Sequence, residues 1–102
     1  MDALLMKPDF SADPFWRRDG ANVPASTLTL TPELLSGLQR WCDWFETSRY
    51  WEWSSEDELR YFESDEESLA FDREGIRLWL QVRAQSPERP VGYQSMVRAE
   101  RL

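Results

Sequence analysis

Apolar positions fall into blocks whose spacing changes along the chain. Ala3-Leu4-Leu5-Met6 is a short apolar run that stops at Lys7-Pro8, where proline removes a ladder donor and restricts the residue before it, so the run reads as a strand. Periodicity lapses from Pro8 to Ser26. There Pro14, Gly20 and Pro24 are interleaved with Phe10, Phe15 and Trp16, the composition of an ordered loop pinned by its own rings, with Phe15 and Trp16 capping the core. A helical spacing then begins. Thr31 suits the N-cap, Pro32 the first helical position, and Leu30 with Leu35 the hydrophobic staple across the cap. Leu34, Leu38, Trp41 and Phe45 recur at offsets of 4, 3 and 4 on one stripe, and Gln39, Arg40, Asp43 and Glu46 take the other side. Trp44 lies at the stripe's edge, undecided between core and surface, and Gly37 one or two turns earlier leaves room for a neighbour.

The second long helix is predicted over about Asp65 to Gln85, with Ser64 and Glu67 at capping-box spacing. It carries two apolar stripes. Leu69, Ile76 and Leu80 share one direction, and Phe71, Leu78 and Val82 lie nearly opposite. A helix apolar on both sides is sandwiched between layers or has one side in an oligomer interface, and sandwiching is the commoner case in a small α+β domain. Gly75 in its interior invites close packing. Ser86-Pro87-Glu88-Arg89-Pro90 ends the helix, and Val91, Tyr93, Ser95 and Val97 alternate with Gly92, Gln94 and Met96 as a returning strand. With the N-terminal strand, and Thr27–Thr29 as a candidate third, the expectation is a single α+β domain over 1–102. Two main helices would pack on a small two- to three-stranded sheet.

Composition fits one modest core. The chain has 102 residues, 41% hydrophobic and 14% aromatic, which sets it apart from disordered chains despite 30% charged residues. No apolar run approaches the roughly 20 residues that span a bilayer, and Met1 to Phe10 lacks the features of a signal peptide, so a cytoplasmic location with no membrane partner is the simplest expectation. Cys42 is the single cysteine, set beside Trp41 in an apolar helical pattern, and reads as a buried packing thiol. With no histidine, the chain offers no Ser/His/Asp or Cys/His triad and no His metal site. There is no Gly-rich phosphate loop, and the carboxylates come in runs that usually lie on solvated surface. An enzyme is not expected, nor a cofactor or metal.

Charge supplies the functional signal. Ten of the nineteen acidic residues fall between Glu52 and Glu74, against only Arg60 and Arg73, a local net charge of −8 in a chain of −7. Tyr50, Trp51, Trp53, Tyr61 and Phe62 stand at its border or within it. Acids at helix starts gain from the helix dipole whether or not anything binds, and a short capped turn near Glu56 and the long helix at Asp65 account for about half of them. The remaining charge beside large aromatics suits a docking surface for a cationic protein. The candidate partner-binding residues are Trp51, Trp53, Glu56, Asp57, Glu58, Tyr61, Glu63, Asp65, Glu66 and Glu67. Direct nucleic-acid binding is disfavoured by a pI of about 4.5 with no basic patch among the aromatics.

Leu5-Met6-Lys7-Pro8-Asp9-Phe10, Pro14-Phe15-Trp16, Leu28 to Trp41 with Phe45, and Phe71-Asp72-Arg73-Glu74-Gly75 together resemble a group of small bacterial proteins. The group has a lysine-proline-aspartate-aromatic segment, a central tryptophan helix and a glutamate-glycine helix, and includes immunity proteins of contact-dependent inhibition and related polymorphic toxin systems. The resemblance spans about Leu4 to Tyr93. It implies a cytoplasmic protein that neutralises a toxin domain delivered by a neighbouring cell, and it carries over no catalytic residues. A toxin that cleaves nucleic acid needs a cationic surface, so the expected partner is a basic C-terminal toxin domain, with the chain itself a monomer or weak homodimer. Two rival classes remain. An acidic nucleic-acid mimic predicts carboxylates along an extended face, and the 56–67 cluster is short for that. A non-catalytic dimeric regulatory or structural subunit would pair through Phe71, Leu78 and Val82.

Overall fold

A computed structural model describes residues 3–48, 62, 64–97 and 101–102. Four short strands, β1 (Leu4–Met6), β2 (Phe15–Arg17), β3 (Asn22–Val23) and β4 (Val91–Tyr93), form one mixed sheet in the order β3-β2-β1-β4. The pairs β1–β2 and β2–β3 are antiparallel, and β1–β4 is parallel. Two helices, α1 (Pro32–Glu46) and α2 (Asp65–Gln85), complete an α+β fold.

The sheet has one strand more than the upper expectation, and its composition differs. The Pro8–Ser26 segment holds β2 and β3, joined by a tight turn in which Arg17 N donates to Ala21 O (2.8 Å) and Gly20 takes a φ of 91° that other residues resist. Thr27–Thr29 is not a strand. Pro24 instead caps a 3-10 turn over Ala25–Thr27, closed when the Thr27 hydroxyl donates to Pro24 O at 2.8 Å. The returning strand stops at Tyr93; beyond it Gln94 bridges to Arg101, and Tyr93 and Leu102 exchange backbone hydrogen bonds at 2.9 and 2.7 Å.

Strand alternation sets which side chains enter the core. Leu4, Met6, Phe15, Val23, Val91 and Tyr93 are buried, while Leu5, Trp16 and Gly92 between them are half-buried. Phe15 is wholly core, and the Trp16 indole lies at the rim, donating to Lys7 O at 3.1 Å beneath the Lys7 ammonium.

α1 begins as its sequence dictates. The Thr31 hydroxyl accepts from Leu34 N, Pro32 follows it, and Leu34, Leu38, Trp41 and Phe45 are all buried. The two helices run antiparallel, as their cross-links show. Thr31 N donates to Gln85 Oε1 (2.8 Å), the Trp41 indole to Phe71 O (3.0 Å) and the Trp44 indole to Glu67 Oε2 (3.4 Å). Where they cross, Gly75 leaves no room for a side chain. A Cβ there would sit 2.5 Å from the Tyr93 hydroxyl and 2.6 Å from Trp41 Cζ2.

α2 is not sandwiched. Phe71, Leu78 and Val82 are core, so they cannot form a dimer interface in the folded chain. On the opposite stripe Leu69 is 42% and Leu80 51% exposed, with Ile76 half-buried between them. The sheet meets only the inner face of the helix, and the outer face has no covering layer among the described residues.

Candidate partner-binding face

The end of the molecule where α1 finishes and α2 starts is built on aromatic packing. Phe71 stacks on Trp41 (4.8 Å between centroids, 12°), receives the edge of Trp44 (5.1 Å, 84°) and touches Phe62 (4.9 Å). Phe62, counted from sequence among the aromatics bordering the acidic stretch, is 5% exposed and belongs to the core. Trp44 is half-buried. Its ring rests on Phe71 and Phe62, and its indole N–H reaches Glu67.

Above this cluster stands the first turn of α2. The Ser64 hydroxyl accepts from Glu67 N at 3.0 Å and serves the cap, so the Asp65, Glu66 and Glu67 side chains are not needed for that task and all three are exposed. These three are brought together on one helical turn. Trp51, Trp53, Glu56, Asp57, Glu58, Tyr61 and Glu63 lie outside the described residues, as does the short capped turn expected near Glu56.

Two further members of the acidic stretch have internal roles. Asp72 is 1% exposed and accepts from the Tyr93 hydroxyl at 2.7 Å, tying α2 to β4. Glu74 pairs with Arg77 one turn on, with Arg77 Nη2 to Glu74 Oε2 at 2.9 Å. The Arg77 hydrogen bond holds the Glu74 carboxyl below its ordinary range. Nothing in the residue type separates these acids from the exposed ones; position on the helix does, since Asp72 borders the inward stripe of Phe71, Gly75 and Leu78.

A second acidic region was missed from sequence because its members are far apart in the chain. Asp9, Asp13 and Glu46, with Asn22 and Gln39, line a cleft of about 300 Å³ whose floor includes Cys42. Ser11 N donates to Glu46 Oε1 at 3.0 Å, closing the 8–14 loop onto α1. Burial first, then the charges of Asp13, Asp43 and Glu46, push the Cys42 thiol up to about 12, so it remains protonated at neutral pH and is a poor nucleophile. Among the described residues no group of three or more His, Cys, Asp and Glu side chains could hold a metal ion.

The motif residues prove to be fold-making. Lys7 covers Trp16, Pro8 is fully buried, Asp9 Oδ1 accepts from Phe10 N at 2.7 Å, Phe10 packs on Phe45 at 5.0 Å, and Gly75 admits Trp41 and Tyr93. These residues maintain the scaffold, and the Asp65-Glu66-Glu67 turn stands exposed beside it. The chain matches the family described as Serratia CdiI immunity protein-like over residues 2–95, and it belongs to that family. No curated protein matches it.

Proposed function

We propose that this chain is a cytoplasmic immunity protein that binds and neutralises a basic C-terminal toxin domain, of the cationic nuclease type, through the acidic end of α2 and the segment before it. The observation that carries the reading is the exposed Asp65-Glu66-Glu67 turn set directly on a rigid aromatic cluster. Family membership supplies the class of partner. Clustered negative charge accelerates encounter with a cationic surface, and anchors seated beside it slow release. In this reading Glu56, Asp57, Glu58, Glu63, Asp65, Glu66 and Glu67 steer the toxin, and Trp51, Trp53 and Tyr61 anchor it.

The test is titration with the C-terminal region of the adjacent upstream gene product at two salt concentrations. The native chain and an Asp65→Lys, Glu66→Lys, Glu67→Lys variant would be compared. Tight, salt-weakened binding is expected, with association slowed about 10-fold or more in the variant and its salt dependence flattened. Absence of binding by the native chain would remove the immunity reading. Binding that is equally fast in both chains would remove this face and leave the immunity reading standing.

A further inference from the structure

We propose that the outer face of α2 is self-complementary and pairs with a second copy of this chain, antiparallel, about a two-fold axis passing between Glu74 and Gly75. At 3.6 residues per turn, Asp65, Leu69, Ile76, Leu80 and Arg83 fall in a sector roughly 60° wide, bordered by Glu66 and Arg73. Phe71, Leu78 and Val82 point away from it into the core. Of the large apolar side chains exposed among the described residues, two of three, Leu69 and Leu80, are in this sector.

Charge and apolar positions share one register. An antiparallel alignment that sets Leu69 against the partner's Leu80 also sets Glu66 against the partner's Arg83, and the two-fold repeats both contacts. The acidic first turn of one helix therefore meets the basic last turn of the other, which also opposes the two helix dipoles favourably. The Arg83 guanidinium carbon lies 5.0 Å from the centroid of the Trp79 ring, which holds the positive charge at that end of the strip. One feature opposes pairing. Arg73 falls opposite the partner's Ile76, close enough to the axis for the two copies of Arg73 to repel. A strip one helix wide also buries less than the roughly 800 Å² per partner of a stable complex. The dimer is therefore weak, with a dissociation constant on the order of 100 μM.

Sedimentation of the chain alone measures this without any toxin, so its result is independent of the immunity reading. The mass should rise from 12.1 kDa toward twice that as concentration passes about 100 μM. Glu66→Arg and Arg83→Glu should each abolish the rise, and the double variant, which restores both cross-pairs with the signs exchanged, should recover it. Arg73→Ala should tighten the dimer several-fold, and Leu80→Asp should abolish it with little change in the unfolding midpoint. A monomer up to about 1 mM, or single reversals that leave association unchanged, would overturn the proposal. So would a double variant that stays monomeric while remaining folded by circular dichroism.

Discussion

Replacing Gly75 by alanine would place a methyl carbon 2.5 Å from Tyr93 Oη, 2.6 Å from Trp41 Cζ2 and 3.0 Å from Trp41 Cε2. In an unobstructed helix interior the same change stabilises by about 1 kcal/mol. Here neither neighbour can yield cheaply. The Trp41 ring is fixed by its hydrogen bond to Phe71 O and by stacking on Phe71, and the Tyr93 hydroxyl is committed to buried Asp72. Overpacking of this kind costs about 1–3 kcal/mol, and pulling Tyr93 from Asp72 adds about 1–3 kcal/mol for the buried acceptor it abandons. After the propensity gain, the net loss is about 1–5 kcal/mol, with a middle value of about 3 kcal/mol. A domain of this size loses about 4–8 °C of Tm per kcal/mol, so at the middle value the variant should melt about 12–24 °C lower. Tryptophan fluorescence during urea and thermal unfolding would read it. Gly37→Ala is the internal control, since its Cβ would meet only the terminal Cδ2 of Leu78 at 3.1 Å, which need give by a few tenths of an ångström, and Arg40 Nη2 at 3.8 Å, an ordinary contact. A Gly75→Ala chain as stable as the native one, or no less stable than Gly37→Ala, would refute the reasoning.

Ser64→Ala removes the acceptor for Glu67 N and should cost about 1 kcal/mol in urea unfolding, with Thr31→Ala costing a similar amount at the start of α1. Tyr93→Phe leaves Asp72 without its hydroxyl donor and should cost about 1–3 kcal/mol, although the ring is conserved in shape; a near-neutral result would show that the pair adds nothing net. The Cys42 thiol, with its folded pKa of about 12 against an ordinary 9.0, contributes a constant term below about pH 9. Above that the unfolded chain ionises first, so stability should fall with rising pH, by up to about 1.4 kcal/mol per unit, until the folded thiol titrates as well. Cys42→Ala should remove that alkaline slope, and equal slopes in the two chains would contradict the assignment.

Both helices were legible because their signals are local and redundant. Thr31-Pro32 opens α1, Ser64 opens α2, Ser86-Pro87 closes it, and the Leu34 to Phe45 stripe has one spacing throughout. The strands Phe15–Arg17 and Asn22–Val23 were not legible, since three and two residues cannot display alternation; they exist because β1 offers an edge to pair with. Thr27 was misplaced for the opposite reason, a local hydrogen bond to Pro24 O outcompeting its strand propensity. For α2, periodicity disclosed two apolar faces but not which would be covered. That depends on where the sheet lies. The acidic stretch read as one field because sequence counts charges without depth, so buried Asp72 weighed the same as exposed Glu66. The cleft of Asp9, Asp13 and Glu46 had no signal at all, being assembled by the fold of the 8–14 loop onto α1.

β1 occupies the interior of the sheet, and its parallel partner is β4, with Leu4 opposite Val91 and Met6 opposite Tyr93. Nearly the whole chain lies between the two. During translation β1 leaves the ribosome first, yet it can acquire its second neighbour only after both helices and β4 have followed. The Tyr93–Asp72 and Trp79–Val91 hydrogen bonds, which fasten α2 to the sheet, are made at that same late moment. Closure of the sheet therefore waits for synthesis of β4, and the loop-closure cost between the two strands is met only then. A nascent chain interrupted before Tyr93 has a half-built sheet and an unfastened helix, so whatever this protein does in the cell is supplied only by copies whose synthesis has passed β4.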